Sequence, residues 1–250
     1  MFIDVHCHLD SNYYNDIDKV VNNAKKNNVN KLIYNGCNKK SNKEVIKLIN
    51  KYDSVYGAVG YHPTELNDVN EKDYELLESL LSNKKIVAIG EIGLDYHYPD
   101  TNKEKQKYAF RRQLELAEKH NIPVIVHSRD AIQDTFDIMS EYNIKGVIHC
   151  FSGSVEMAKE FIKKGFLISV GGIITFKNAK NIIEVIKNID LSYILLETDS
   201  PYLTPEPFRK EQNEPMYIPI IASKIADILN VSIEEVSSKT TDNAKRLFDF

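Results

Sequence analysis

Eight short apolar runs recur along the chain, and longer segments of mostly helical period separate them. Runs that are apolar throughout are typical of parallel strands, which are buried on both faces. The runs are FIDVH (2–6), KLIYNG (31–36), SVYGAVG (54–60), KIVAIGEIG (85–93), PVIVHS (123–128), GVIHCF (146–151), FLISVGG (166–172) and YILLETD (193–199). This repetition predicts an α/β fold, and eight units in 250 residues match a (β/α)8 TIM barrel with a single domain over residues 1–250.

An open, doubly wound sheet is the alternative arrangement of the same elements. It usually carries a glycine-rich phosphate-binding turn after its first strand. This chain has HCHLD at that point. The sequence therefore favours the closed barrel.

The helical segments are expected to form the outer ring of the barrel. Residues 216–250 show two helical patterns joined near residues 230–232, and we expect these helices to close the ring. In KQKYAFRRQLELAEKH (105–120), we expect Tyr108, Leu114 and Ala117 to lie on one side of a helix.

Composition restricts the class of protein. The net charge of −4 gives no global basic field for nucleic acid, so a polyanion would have to be bound by local groups or by a metal. The sequence has no apolar run of 18 residues, so we expect no membrane span. It enters the first strand-like run directly, so we expect no signal peptide. The chain has three cysteines: Cys7, Cys37 and Cys150. Their number is odd, and each lies in or beside an apolar run. This pattern indicates buried, reduced thiols in a cytoplasmic protein.

The first apolar run ends in His6-Cys7-His8. In a strand, residues i and i+2 point the same way, so the two imidazoles share a face. In a barrel we expect that face to be the interior, at the carboxyl end where barrel enzymes place their active sites. Two neighbouring imidazoles suit a divalent metal, although a strand histidine is also found as an ordinary hydrogen-bonded residue.

Four other runs end in ligand-type side chains. They are Glu91, His127, His149 and Asp199, on the fourth, fifth, sixth and eighth runs. Buried charge is costly unless it is paired or bound to metal, so core packing does not explain such residues at one end of four strands.

The six residues together predict a centre for two divalent ions. Glu91 is the natural bridge, because a carboxylate can give one oxygen to each ion. Two ions about 3.5–4 Å apart form a clamp that hydrolyses phosphoesters and amides. Histidine with carboxylate favours Zn, Mn, Fe, Co or Ni, and Mg is compatible if water completes its shell.

The chain resembles the TatD-type metal-dependent deoxyribonucleases, a branch of the amidohydrolase-like metal barrels. The matching segments are DVHCHLD, VGYHPTE, AIGEIGLDYH, FRRQLELAEKHNIPVIVHSRDA, VIHCFSGS, SVGGIITFKNAK, LLETDSPYLTP and NEP, in the family's order. The resemblance implies a (β/α)8 barrel, a divalent-metal centre and hydrolysis of DNA phosphodiesters. The family's ligand positions fall on His6, His8, Glu91, His127, His149 and Asp199.

Two positions depart from the pattern of the family. The loop matching VGYHPTE often has a second histidine where this chain has Thr64, and NEP is usually preceded by an arginine where this chain has Gln212. Both loops would face substrate. Arg209 and its neighbour Lys210 are candidates for the missing positive charge.

Catalytic or substrate-binding roles follow for three residues. Asp199 would orient and deprotonate the attacking water, unless it caps the following turn. His62 would contact a phosphate or the leaving oxygen, unless it is an ordinary loop histidine. Arg129 would bind phosphate, unless it forms a salt bridge with Asp130 or Glu91. We expect Asp95 and Tyr96 to support the mouth of the barrel.

The expected substrate is DNA, attacked at a single-stranded end, because a narrow barrel mouth accepts a strand end more easily than a duplex. The alternative is a metal-dependent deacylase or amidase that acts on an ester or amide such as an aminoacyl-tRNA, since the same fold and metals serve both. A non-catalytic metal-dependent binder is a third hypothesis. We infer no obligate protein partner.

Overall fold

The computed structural model describes all 250 residues and forms a closed barrel of eight parallel strands surrounded by helices. Each strand pairs in parallel with the next, and a parallel bridge between Cys7 and Ser200 joins the last strand segment to the first. The predicted (β/α)8 barrel is confirmed, and all eight predicted strands are present.

The elements alternate along the chain as the sequence predicts. The strands are β1 (Phe2–Cys7), β2 (Val29–Asn35), β3 (Val55–Val59), β4 (Ile86–Asp95), β5 (Val124–Arg129), β6 (Gly146–Ile148), β7 (Leu167–Val170) and β8 (Ile194–Leu196). The α-helices are α1 (Ile17–Lys26), α2 (Lys39–Lys51), α3 (Glu71–Leu80), α4 (Lys103–His120), α5 (Ile132–Met139), α6 (Val155–Lys163), α7 (Lys180–Asn188), α8 (Ile218–Leu229) and α9 (Ile233–Phe248).

Polar side chains cap the start of six of the nine α-helices. The Asn38 side chain accepts hydrogen bonds from the backbone N–H groups of Lys40 and Ser41 at the start of α2, and Ser154 caps α6 in the same way. Such caps satisfy backbone donors that a helix leaves unpaired at its first turn. The loop that joins β6 to α6 thus ends in an ordinary helix cap.

A cluster of twelve buried residues fills the interior of the barrel. It takes at least one apolar side chain from each of the eight strands, and it includes Ala244 and Phe248 of α9. Helix α9 therefore closes the amino-terminal end of the barrel, which corrects the expectation that both final helices join the outer ring. A larger cluster of 54 residues packs the strands against the helices.

The prediction that Tyr108, Leu114 and Ala117 share one side of α4 is wrong in part. Leu114 and Ala117 are buried, but the Tyr108 side chain is 54% exposed. Tyr108 lies nine residues before Ala117, and at about 100° per residue this spacing places the two on opposite sides of a helix. The tyrosine hydroxyl instead donates a hydrogen bond of 2.6 Å to Glu71.

The pairing register shifts in the two strands that carry His6 and Glu91. Between Asp4 and Cys7, β1 advances three residues while β2 advances two, and β4 does the same against β5 between Ile89 and Ile92. An extra residue of this kind re-aims the side chains that follow it. Val5 of β1 packs in the interior cluster. Because of the shift, the next residue, His6, also faces the barrel interior, nearer to its carboxyl end.

No single helix is long and apolar enough to cross a membrane; only the bent pair Pro215–Leu229 with Ile233–Phe248 meets that test, by length and composition.

Candidate metal centre

The six side chains that the sequence predicts as ligands meet at the carboxyl end of the barrel. His6, His8, Glu91 and His149 are buried, and all of the six except His6 line a cavity of about 500 Å³ that opens to solvent. His6 lies beneath the cavity floor with no exposed surface. The strands thus bring together, in one place, donors that are up to 193 positions apart in sequence, from His6 to Asp199.

Four donor atoms form what we call the first donor set: His6 Nε2, His8 Nε2, Glu91 Oε2 and Asp199 Oδ1. The two imidazole nitrogens lie 3.2 Å apart. His6 Nε2 lies 3.4 Å from Glu91 Oε2 and 3.6 Å from Asp199 Oδ1, and His8 Nε2 lies 3.6 Å from both oxygens. Donors at about 2.0–2.1 Å from a tetrahedral ion lie about 3.3–3.4 Å from one another, so this spacing fits a divalent ion.

The second donor set consists of Glu91 Oε1, His127 Nδ1 and His149 Nε2. The Glu91 oxygen lies 3.1 Å from the His127 nitrogen and 2.9 Å from the His149 nitrogen, and the two nitrogens lie 3.1 Å apart. Adjacent donors of an octahedral ion at about 2.1 Å lie about 3.0 Å apart. The two oxygens of Glu91 therefore belong to two different donor sets.

Hydrogen bonds on the far side of two rings fix which nitrogen faces the cluster. His8 Nδ1 donates to the Asn35 carbonyl at 3.0 Å, and His127 Nε2 donates to Asp95 Oδ2 at 3.1 Å. In the neutral ring, the nitrogen that faces the cluster then carries the lone pair. Metal-binding histidines are held in this way, and converging lone pairs beside two carboxylates are a donor arrangement that suits a cation.

A family model described as "TatD related DNase" matches residues 3–249. The chain belongs to the TatD family. It is 42% identical to the "Uncharacterized metal-dependent hydrolase YabD" of Bacillus subtilis strain 168, over 99% of both chains. It is 36% identical to the "Uncharacterized metal-dependent hydrolase YcfH" of Escherichia coli K12, over 98% of this chain and 95% of the relative. The crystal structure of YJJV, a TatD homolog from Escherichia coli K12, superposes with a TM-score of 0.93 at 30% identity and covers 100% of this chain and 98% of its own.

The carboxylates of this TatD family member are held in their ionised form. Burial alone would raise the pKa of Glu91, but the surrounding histidines, His149 foremost, hold it well below its ordinary value. Burial likewise opposes ionisation of Asp199, while hydrogen bonding with His8 and the nearby histidine charges lower its pKa. No lysine or arginine pairs with either carboxylate, so their charge is compensated by the histidines and is available to a bound cation.

Two residues of the centre were missed by the sequence interpretation. Glu197 is fully buried, accepts a hydrogen bond of 2.6 Å from the Cys150 backbone N–H, and places Oε1 3.7 Å from His149 Nδ1. Its position two residues before Asp199 on one strand run was an available signal. Cys37 lies at the end of the second run, with Sγ 3.5 Å from Glu91 Oε2. Burial raises the pKa of Cys37 to about 12.

The structure places Asp95 and Tyr96 where supporting residues are expected. Asp95 holds His127, as described above, and also accepts a hydrogen bond of 3.0 Å from the His97 backbone N–H. The Tyr96 hydroxyl donates to Asp134 at 2.8 Å, so it braces the mouth from outside the donor sets.

His62 lies beside the second donor set. Its Nε2 is 3.5 Å from Glu91 Oε1, and burial lowers its pKa to about 3, so the ring is neutral. The Thr64 backbone N–H donates to His62 Nδ1 at 3.2 Å, and the Thr64 hydroxyl lies 2.7 Å from the same atom. The proton of the ring therefore sits on Nε2 and points into the cavity. Thr64, the departure from the family pattern, fixes this tautomer.

Arg129 lines the cavity, and Arg209 does not. The Arg129 guanidinium forms neither of the salt bridges considered from the sequence, and it lies 5.8 Å from the centroid of the Tyr98 ring. The Arg209 guanidinium instead stacks over Phe176 at 3.9 Å and donates to the Thr204 carbonyl at 3.2 Å. These contacts hold Arg209 away from the donor sets.

Proposed function

We propose that the protein is a two-metal hydrolase of DNA phosphodiesters that acts at single-stranded ends. One observation carries the proposal: the two oxygens of Glu91 face two separate groups of imidazole nitrogens, at 3.4 Å from His6 Nε2 and 2.9 Å from His149 Nε2. Divalent ions bound at the two donor sets would polarise a phosphoryl oxygen and make a bound water more acidic. Hydrolysis by such a pair suits a phosphodiester, and the description of the matching family as a DNase supports DNA.

Side chains around the donor sets supply the remaining functions. Asp199 is ionised and lines the cavity, so its carboxylate can orient the attacking water and accept its proton. His62 is neutral with its proton on Nε2, so it can donate a hydrogen bond to a phosphate oxygen or to the departing oxygen. Arg129 supplies a permanent positive charge at the wall of the cavity.

The charge of the mouth supports contact with a short stretch of strand. Only Lys40 and Arg129 among the lining residues are lysines or arginines, and the chain carries a net charge of −4. Broad binding to duplex DNA relies on many phosphate contacts. A strand end needs only a few, and the cavity of about 500 Å³ is of the size that holds one or two residues of a ligand.

The test compares three substrates with metal-loaded protein: an end-labelled single strand, the same sequence as a duplex, and an aminoacyl ester. We expect progressive shortening of the single strand, slower cleavage of the duplex, and little ester hydrolysis. His127→Ala should abolish cleavage, whereas His120→Ala, an exposed histidine paired with Glu78 on the outer helices, should not. Ester turnover without cleavage of either DNA would replace this proposal with the deacylase alternative.

A further inference from the structure

Three exposed tyrosines surround the mouth of the cavity. Tyr13, Tyr98 and Tyr202 all line the cavity, and their side chains are 41%, 53% and 48% exposed. Single exposed aromatic residues are common on protein surfaces, but three around one entrance form a grouped aromatic surface, and the donor sets do not use it. Their grouping places an aromatic contact surface at the entrance of the cavity.

Tyr13 and Tyr202 form one wall. Their hydroxyl oxygens lie 2.6 Å apart, and their rings meet edge to face with centroids 5.7 Å apart. The Tyr202 ring also lies 6.3 Å from the ring of His8, one of the first donor set. Gln212 donates a hydrogen bond of 2.9 Å to the Tyr13 carbonyl. This residue, where the family usually has arginine, thus holds the loop that carries Tyr13.

Tyr98 and Arg129 form the other wall. The guanidinium lies 5.8 Å from the centroid of the Tyr98 ring, and the His97 ring meets Tyr98 edge to face at 5.3 Å. Both Tyr98 and Arg129 remain exposed on the side that faces the cavity mouth. A planar ring and a planar guanidinium together give a surface that flat aromatic groups stack on.

The barrel topology sets the two walls opposite each other. Tyr13 follows β1 and Tyr202 follows β8, which are neighbours in the closed barrel. Tyr98 follows β4 and Arg129 ends β5, which are also neighbours. Half of the ring of strands separates the two pairs, and the donor sets lie between them.

We propose that the two walls are stacking platforms for the unpaired bases on either side of the scissile phosphate. This inference rests on the proposed function. A phosphate over the donor sets leaves its flanking nucleosides directed toward the walls, and bases that are free of a duplex can turn to stack on tyrosine. The aromatic walls would then select single strands by their bases, in addition to the charge contacts with the backbone.

The test uses two single-stranded substrates of equal length, one of thymidylate and one with abasic tetrahydrofuran residues in place of every base. Both carry the same phosphates, so their ratio of kcat/KM isolates the contribution of the bases. Loss of one stacking contact typically costs about 1–3 kcal/mol, or about five-fold or more. We expect the wild type to prefer the base-bearing strand, and Tyr98→Ala and Tyr202→Ala each to reduce that preference at least about five-fold.

Two kinds of control separate stacking from damage. Tyr98→Phe and Tyr202→Phe keep the ring and should keep the preference. Tyr193→Ala removes a tyrosine of similar exposure, 37%, at the opposite end of the barrel and should leave the preference as in the wild type. Fluorescence anisotropy with a hydrolysis-resistant phosphorothioate strand gives the same comparison as binding constants, without turnover.

The failure of this inference is distinct from the failure of the proposed function. A wild type that cleaves neither strand overturns both. A wild type that cleaves both strands equally well, or alanine variants that keep the full preference for bases, would show a phosphodiesterase without stacking walls.

Discussion

Asp4 Oδ2 accepts a hydrogen bond of 2.5 Å from the hydroxyl of Thr198. The other oxygen of the same carboxyl group accepts from the Thr198 backbone N–H at 3.0 Å and from the His6 backbone N–H at 3.2 Å. Asp4 is fully buried. It therefore links β1, which carries His6 and leads directly to His8, to the segment after β8 that carries Asp199.

Asp4→Ala is expected to destabilise the protein, because it leaves buried donors of Thr198 and His6 without an acceptor. Each such group costs roughly 1–3 kcal/mol. Denaturant unfolding of the metal-stripped protein measures the effect. Asp18→Ala, which removes an exposed carboxylate bonded to Lys51 and Tyr52, is the matched control and should change stability little. An Asp4→Ala protein as stable as the control would show that the link does not support the fold.

Asp95→Ala is expected to weaken metal binding about 10- to 100-fold, because the variant no longer orients the His127 ring. Titration of stripped protein against a chromogenic chelator gives the affinity. Asp130→Ala is the control, since this exposed carboxylate contacts His97 and not a donor set. Unchanged affinity in Asp95→Ala would mean that His127 either needs no such support or binds no ion.

The double variant His6→Ala with His8→Ala is expected to bind one ion fewer than the wild type. It removes both nitrogens of the first donor set and leaves the second set complete. Elemental analysis after gel filtration counts the ions, with His97→Ala as the control for loss of an exposed histidine. Wild-type metal content in the double variant would contradict the assignment of these nitrogens.

Asp199→Asn keeps the size of the side chain and removes its charge. If the carboxylate accepts the proton of the attacking water, turnover should fall at least about 100-fold, with a smaller change in KM. Asparagine is also a poorer ligand, so metal content is measured in the same sample. Full metal with near-normal turnover would return Asp199 to the role of a turn cap, and lost metal would identify a ligand.

Much of the barrel and its donor sets could be predicted, because both depend on short-range patterns. Uniformly apolar runs mark buried parallel strands, and a polar residue at the end of such a run is conspicuous, as with His127 and Asp199. The side-chain alternation of β1 was predictable only in part. Strict alternation places Val5 and His6 on opposite faces, and the shift in register with β2 brings both inward.

Other features depend on contacts between distant segments. Arg209 was expected near substrate for its charge, yet Phe176, on another loop, holds it elsewhere. The hydrogen bond between Asp4 and Thr198 joins residues 194 positions apart, and no local sequence pattern predicts it. The same holds for the opposed tyrosine walls, which exist only once the strands close into a ring.

Stepwise metal titration of stripped protein tests the central claim most directly, namely that Glu91 serves two ions that act together. Activity on an end-labelled single strand is measured as Mn²⁺ is added in known molar equivalents. We expect activity to rise until two equivalents are bound, and Glu91→Gln to stay inactive at every ratio because it offers no bridging carboxylate. Full activity in protein shown by elemental analysis to be metal-free, or activity that saturates at one equivalent, would contradict the account.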